Sequence, residues 1–490
     1  MKPWIHLCLA AICAGTVVAA GKFYPAVGRI PLWGFGLISA IQFYQFLSPL
    51  FGQPIILRIG GLKWTMEDFC RGWLITGQTG TGKTIAAINR MLWQISKNCP
   101  TWGGVCVDDK GLYSETLSSM FRHLGRQDDL ILLQVRPEKA GPDWKPTCTF
   151  NFLDDPYLPD SAKAMIVCDV AASVGQRSDQ SFFKMQAQIQ MEFAFKALRC
   201  AELPVTLENT YEFLTSDKLL REVMEMVAAK DTSDAQSLTD HFKGNLLAQP
   251  AEQLGGVKTT VANYLKYFTD PDIAAVFCPR KSSFTFSDID RGKVICVSIP
   301  QRYQVERRYI NTLLKLAFYA HALQRFDKSD SERANDNLLI LWADEAQKIV
   351  TVSSDGLSDY EVVDRLREAR ATVVAATQSY TSLIPPMGDE HKAEVLFLNL
   401  ANRITFCAAD EQSAKIAADA LGKYEGKRHT VGYSGTQSTH SWTKEDMYFM
   451  EPHEFRKLRK FNAIVQHCED GFRKLKLAPV GPDGRPPSWY

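Results

Sequence analysis

The chain has 490 residues, 46% of them hydrophobic, with 56 Lys plus Arg against 55 Asp plus Glu and a net charge of +1. That length exceeds one ordinary core and implies roughly two or three folding units, and the balanced charge excludes a global polybasic field, so an anionic partner must be met by a local patch. Twelve cysteines show no C-x-x-C pair and no metal-ligand spacing, which excludes a disulfide framework or zinc module and points to free thiols in a reducing compartment.

Two apolar runs open the chain, WIHLCLAAICAGTVVAA over 4–20 and IPLWGFGLISAIQFYQFLSPLFG over 30–52. About 20 residues cross ~30 Å of hydrocarbon, so the first run is short and the second adequate. Trp33, Phe43 and Tyr44 suit interfacial anchoring. The favoured reading is a transmembrane hairpin, a membrane anchor over 1–53 with both ends in the cytoplasm, although Lys22 and Arg29 in its loop run against the positive-inside tendency. The alternatives are a cleaved signal peptide for the first run, with Val18–Ala20 as the cleavage site, and a pair of core helices.

RGWLITGQTGTGKTIAAINRMLWQI, 71–95, reads as strand, glycine turn and helix, the helix marked by the spacing of Ile85, Ile88, Met91 and Leu92. Within it Gly77, Gln78, Thr79, Gly80, Thr81, Gly82, Lys83 and Thr84 fit G-x-x-x-x-G-K-[ST]. Such glycines let backbone N–H groups converge on phosphate oxygens at a helix N-terminus. Lys83 would reach the β and γ phosphates and Thr84 would hold Mg²⁺, so ATP and Mg²⁺ are the expected ligands.

Strands are predicted at 102–111 (WGGVCVDDKG) and 129–135, with a helix between them, before a Pro-rich polar connection over 136–156. From about 160 to 278 nearly every stretch has helical spacing, as in SFFKMQAQIQMEFAFKALRC, and an all-helical insertion is expected. Strand patterns resume at KVICVSIP, 293–300, and at NLLILWADEAQKIV, 337–350, whose apolar run ends in Asp344 and Glu345. Carboxylates at the end of a parallel strand face the ligand crevice, which suits Asp344 to Mg²⁺ and Glu345 to orienting and deprotonating the attacking water.

Next comes EVVDRLREAR, with Arg365, Arg367 and Arg370, and then the strand ATVVAATQS carrying Gln378. Glu361, Asp364 and Glu368 among the arginines are also what a solvated helix face laced with i,i+3 and i,i+4 pairs looks like. A strand at 401–410, a helix from 411 ending near Gly422, a polar Ser/Thr/Gly-rich stretch at 426–442 read as a mobile loop, a basic helix, a last strand, and a disordered tail over 481–490 complete the chain. The expected fold class is α/β, a doubly wound parallel sheet interrupted by a helical domain. The nucleotide-binding domain takes 54–158 and 284–480, and the insertion takes 159–283.

LITGQTGTGKT, VCVDDKG, FNFLDDP, LILWADEAQ, REARATVVAATQS and ANRITFCAADEQSAKIAADALG, in that order behind an N-terminal apolar pair, resemble the TraG/TraD-like coupling ATPases of type IV secretion. These are membrane-anchored relatives of the FtsK/HerA translocases. The resemblance spans nearly the whole chain and implies a RecA-like P-loop domain in a multi-pass protein of the bacterial inner membrane. It also implies a homo-hexameric ring that hydrolyses ATP to drive single-stranded DNA with bound protein toward secretion-channel components, its helical insertion being the receiving surface. Gln378 would sense the γ-phosphate, and Arg367, eleven positions upstream, would be an arginine finger offered to a neighbouring subunit, with Arg370 the second candidate. A receptor ATPase for protein effectors and a non-hydrolysing nucleotide-binding scaffold are the competing functions.

Overall fold

The structure is a computed structural model that describes residues 54–109, 113–175, 181–353, 356–434 and 437–490. Its strands in chain order are β1 (Leu57–Ile59), β2 (Leu62–Trp64), β3 (Trp73–Thr76), β4 (Gly103–Asp108), β5 (Leu130–Gln134), β6 (Val294–Ser298), β7 (Leu339–Asp344), β8 (Ala371–Thr377), β9 (Asn402–Thr405), β10 (Lys423–Ser434), β11 (Gln437–Tyr448), β12 (Asn462–His467) and β13 (Gly471–Lys476). Nine of them make one sheet in the order β13-β12-β9-β3-β8-β7-β4-β6-β5. The run from β9 to β5 is parallel, and β12 and β13 close one edge antiparallel.

Parallel strands are covered on both faces and so read as continuous apolar runs. In β7 the two-residue period then sends Leu339, Leu341 and Ala343 into one core and Ile340 and Trp342 into the other. The second core lies under the helix that follows β3, through Ala87, Met91, Leu92 and Ile95. The first contains the long helix Gln304–Gln324 and the helices that separate β5 from β6.

The β5-to-β6 connection is helical, with Asp160–Ser173, Ser181–Cys200, Leu207–Thr215, Asp217–Ala228, Ser233–His241 and Ala251–Leu265 as its main elements. Its apolar core runs without a break into that of the sheet. Tyr309 of the long helix meets Tyr267 at 5.3 Å and Phe268 at 5.5 Å, and Tyr309 Oη donates to Val167 O at 3.4 Å. Residues 56–490 accordingly form one compact unit.

Three expectations change. The multi-pass localisation is corrected: among the described residues no helix is long and apolar enough to cross a membrane, and the two apolar runs of the expected anchor, 1–53, lie outside the described residues. The expected mobile loop at 426–442 is instead part of the antiparallel hairpin β10–β11, paired from Lys423↔Tyr448 to Ser434↔Gln437. The tail expected to be disordered is packed. Val480 N donates to Ile85 O at 2.7 Å and Gly481 N to Arg485 O at 2.7 Å, while Trp489 and Tyr490 stand 6.3 and 5.5 Å from the Phe461 ring.

A buried ion pair clasps the segment that follows β7. Lys315 Nζ lies 2.5 Å from Asp359 Oδ2, the two side chains being 2% and 8% exposed. Asp359 also accepts from Tyr319 Oη at 2.6 Å and Thr351 N at 2.7 Å, and burial pushes the Lys315 ammonium pKa down against the opposing pull of Asp359. Removing one partner of such a pair strands the other charge, at a cost of about 3–5 kcal/mol, whereas replacing both with apolar groups is often neutral. Urea unfolding should show that loss for Lys315→Met and a substantial recovery in the Lys315→Met/Asp359→Leu double variant.

Candidate active site

The parallel register fixes where the site lies. Thr76 of β3 stands beside Thr377 of β8, and Asp108 of β4 beside Asp344 of β7, so the carboxyl ends of four strands open on one crevice. β3 runs directly into the phosphate loop. Thr81 Oγ1 donates to Gln78 O at 2.7 Å, and Gln78 is anchored to the β9 end by N to Cys407 O at 2.9 Å and Nε2 to Ala408 O at 3.0 Å. Gln78, Thr79 and Gly80 are exposed at its tip, and Thr81, Gly82 and Lys83 are buried.

Gly82 has φ +112, and a Cβ there would stand 2.6 Å from Cδ1 of Phe461. The loop therefore requires glycine both for its dihedral and for its neighbour. After it, Lys83–Ile88 winds as a π-helix in which Asn89 N donates to Thr84 O, before the α-helix Asn89–Asn98 begins. Single π turns inside helices recur at functional sites.

Lys83 Nζ lies 2.6 Å from Gly77 O and 3.3 Å from Gln78 O, folded across the loop. Thr84 Oγ1 donates to Asp344 Oδ2 at 2.9 Å. A hydroxyl and a carboxylate in contact at the foot of a phosphate loop are hard oxygen donors of the kind Mg²⁺ selects, so the residues present fit that ion.

Glu345 is 6% exposed and has a left-handed backbone, φ 57 and ψ 46. That conformation is uncommon for a residue with a Cβ, costs about 1–3 kcal/mol and concentrates at functional sites. Its carboxylate is held by Gln347 Nε2 at 2.6 Å and by Gln378 Nε2 at 3.4 Å, and Thr377 Oγ1 donates to Gln347 Oε1 at 2.8 Å. Gln347, Thr377 and Phe461 were missed as site residues. Gln347, two positions beyond an acidic strand end, left a signal that could have been read; Phe461 left none, since it meets Gly82 only through the fold.

The structure brings Gly77 to Thr84, Asp344, Glu345 and Gln378 together, and it does not bring Arg367 or Arg370 to them. Arg370 precedes β8 and Gln378 follows it, roughly 25 Å apart at 3.3 Å per residue. Arg367, about half exposed, pairs with Glu67 at 3.1 Å. Arg370, with φ 52, contacts Ala334 O and Met66 Sδ. Arg365 lays its guanidinium 5.7 Å from the Phe326 ring centroid.

The family model for the type IV secretion-system coupling protein DNA-binding domain matches residues 56–470. The chain belongs to that family. Among solved structures this coupling protein is similar to the bacterial conjugative coupling protein TrwBdeltaN70 in its unbound monoclinic form, with TM-score 0.63 and 16% identity over 89% of this chain and 91% of that one. It is also similar to the plasmid coupling protein TrwB in complex with the non-hydrolysable ATP analogue ADPNP, with TM-score 0.61 and 15% identity over 88% and 91%. VirB4 of Thermoanaerobacter pseudethanolicus follows at TM-score 0.50 and 12% identity over 88% and 98%. At these identities the likeness is one of fold, an α/β architecture with a large, mostly parallel central sheet. Comparison with curated protein sequences gives no match.

Because an alanine at Gly82 meets the Phe461 ring in a backbone region that L-residues avoid, Gly82→Ala should abolish nucleotide binding in equilibrium titrations with a fluorescent ATP analogue. Gly255→Ala, inside the helix Ala251–Leu265 with a helical backbone and nothing within 4 Å of the added Cβ, should bind like the parent.

Proposed function

We propose that this coupling protein hydrolyses ATP in the crevice at the ends of β3, β7 and β8 and uses it to drive single-stranded DNA with bound protein toward a type IV secretion channel. The carrying observation is the contact between Thr84 and Asp344 at 2.9 Å, with Glu345 buried and braced beside it. Gly77, Gln78, Thr79, Gly80, Thr81 and Gly82 present their backbone to the phosphates, and Lys83 leaves the carbonyls of Gly77 and Gln78 to meet them. Thr84 and Asp344 would hold Mg²⁺, which when bound would neutralise charge on the phosphate oxygens.

Glu345 orients and deprotonates the attacking water, kept in place by Gln347 and Gln378. Gln378 reaches that carboxylate at 3.4 Å, which suits it to report the γ-phosphate through Glu345. The TrwB complexes with an ATP analogue and with ADP and Mg²⁺ support nucleotide as the ligand of this fold. Membership of a DNA-binding domain family supports a DNA substrate.

Arg367 and Arg370 stand far from this subunit's own loop, which excludes a role for them there. An arginine finger at either position acts on a neighbour's nucleotide in a ring, here proposed to be a homo-hexamer, with the helical region 159–283 as the receiving surface. Such fingers are worth about 10³ to 10⁵ in rate where measured in GTPases. A receptor for protein effectors on the same fold would show hydrolysis stimulated by protein and indifferent to DNA.

ATP hydrolysis by the full chain should rise with single-stranded DNA, and that rise should fade steeply with salt as phosphate contacts release counterions. Glu345→Gln should retain nucleotide binding and lose about 10²- to 10⁴-fold in turnover, the range of general acid–base catalysis; Lys83→Ala should lose binding itself. In mixing experiments, Arg367→Ala subunits added to Lys83→Ala subunits should recover part of the turnover. If Arg367→Ala and Arg370→Ala proteins assemble and hydrolyse like the parent, neither arginine is the finger.

A further inference from the structure

Beside the nucleotide crevice, at the carboxyl ends of β4, β6 and β7, a cavity of about 350 Å³ is lined by Asp109, Gln301, Gln304, Arg307, Arg308 and Lys348, among others. It takes no part in the hydrolytic chemistry described above. Among the described residues three of its lining side chains are cationic against one carboxylate, Asp109, whose charge raises the Arg308 pKa against the larger, lowering effect of burial.

Arg307 is 3% exposed, and although Nη1 donates to Ile299 O at 3.3 Å and Nη2 to Gln301 Oε1 at 3.2 Å, its Nε has no partner. That Nε is closed off from solvent, so Arg307 gives the cavity buried positive charge and no open donor at this atom. The cavity also receives the start of the 21-residue helix Gln304–Gln324, whose N-cap, Tyr303, makes no side-chain capping bond. The first N–H groups of a helix and its dipole favour an anion. Lys348 is exposed at the rim.

Arg308 ties this cavity to catalysis. Its Nε donates to Lys348 O at 2.6 Å and its Nη2 to Ser173 O at 2.9 Å. Lys348 ends the turn Ala346–Lys348 that begins at Glu345, and Lys348 N donates to Glu345 O at 2.9 Å. Two hydrogen bonds therefore separate an anion held by Arg308 from the backbone of Glu345, the proposed catalytic base.

We infer that this cavity binds a backbone phosphate of the single-stranded DNA substrate and passes its occupancy to Glu345 through Arg308 and Lys348. The inference rests on the DNA-translocating reading proposed above and names the place where strand and hydrolysis meet. A phosphodiester fits better than a base, because the described lining offers guanidinium, ammonium and helix N–H groups and, among the described residues, no aromatic platform.

The test measures binding of a labelled oligothymidine by fluorescence anisotropy across a salt series, and its stimulation of ATP hydrolysis, in the full chain. Lys348→Glu should weaken binding about tenfold and lower the slope of log affinity against log salt by about 0.7 for each phosphate that the variant no longer neutralises. Lys415→Glu, the same charge change at an exposed position of the helix Glu411–Leu421, should bind like the parent. Arg308→Lys keeps the charge and gives up the two-pronged grip on Lys348 O and Ser173 O, so strand binding should stay near the parent's while stimulation disappears.

If the parent binds the strand and Lys348→Glu behaves like Lys415→Glu, this site is overturned and the DNA reading stands. If the parent binds no strand, the DNA reading falls and takes the site with it. If Lys348→Glu removes only inhibition by inorganic phosphate, the cavity serves free phosphate and the inference is overturned.

Discussion

The register of the parallel sheet is the constraint on which the rest depends. Side chains in a strand alternate with a period of two, so slipping one strand by one residue would exchange its two faces and move its last residue out of the crevice. The register that packs Leu339 and Leu341 into one core and Ile340 and Trp342 into the other also sets Asp344 level with Asp108. Thr84 and Asp344, 260 positions apart in sequence, meet at 2.9 Å because of it. Apolar burial thus positions a polar contact that could not position itself.

Two buried charged clusters hold the ends of this arrangement. At the amino ends of the strands Arg325, 2% exposed, donates to Asn337 O, Ala369 O and Asp290, joining the entries to β6, β7 and β8. Burial alone would raise the Asp290 carboxyl; hydrogen bonds and charge from His321 and Arg325 outweigh it and hold the pKa at about 2. At the carboxyl side Lys315 and Asp359 fix the segment after Glu345. The crevice edge lies between, where Glu345 keeps a left-handed backbone that only a firmly fixed surrounding sustains. The cavity at Arg307 and Arg308 opens on that same edge, joined to Glu345 by the turn that ends at Lys348.

Much of this was legible in the sequence because the chemistry is local. A phosphate loop needs its glycines, lysine and threonine within eight positions, and buried parallel strands announce themselves as apolar runs such as LILWAD and ATVVAAT. The hairpin β10–β11 was not legible: KRHTVGYSGTQSTH has no apolar alternation to mark a strand, since it pairs with nothing but itself. The tail read as disordered because GPDGRPPSWY is rich in Gly and Pro. Its order comes from Trp489 and Tyr490 reaching Phe461, a residue that the fold places against Gly82. Arginines before a strand carry no sign of where their side chains end, and only the length of β8 shows that Arg367 and Arg370 stand away from the loop of their own chain.

The central claim is that hydrolysis at this edge is spent on moving along a strand. The most direct measurement is ATP consumed per binding event on single-stranded DNA of increasing length, at saturating ATP with a trap for released protein. A motor consumes more ATP on longer strands until dissociation limits it, and that rise is the result the account predicts. Consumption that does not change with strand length would contradict it.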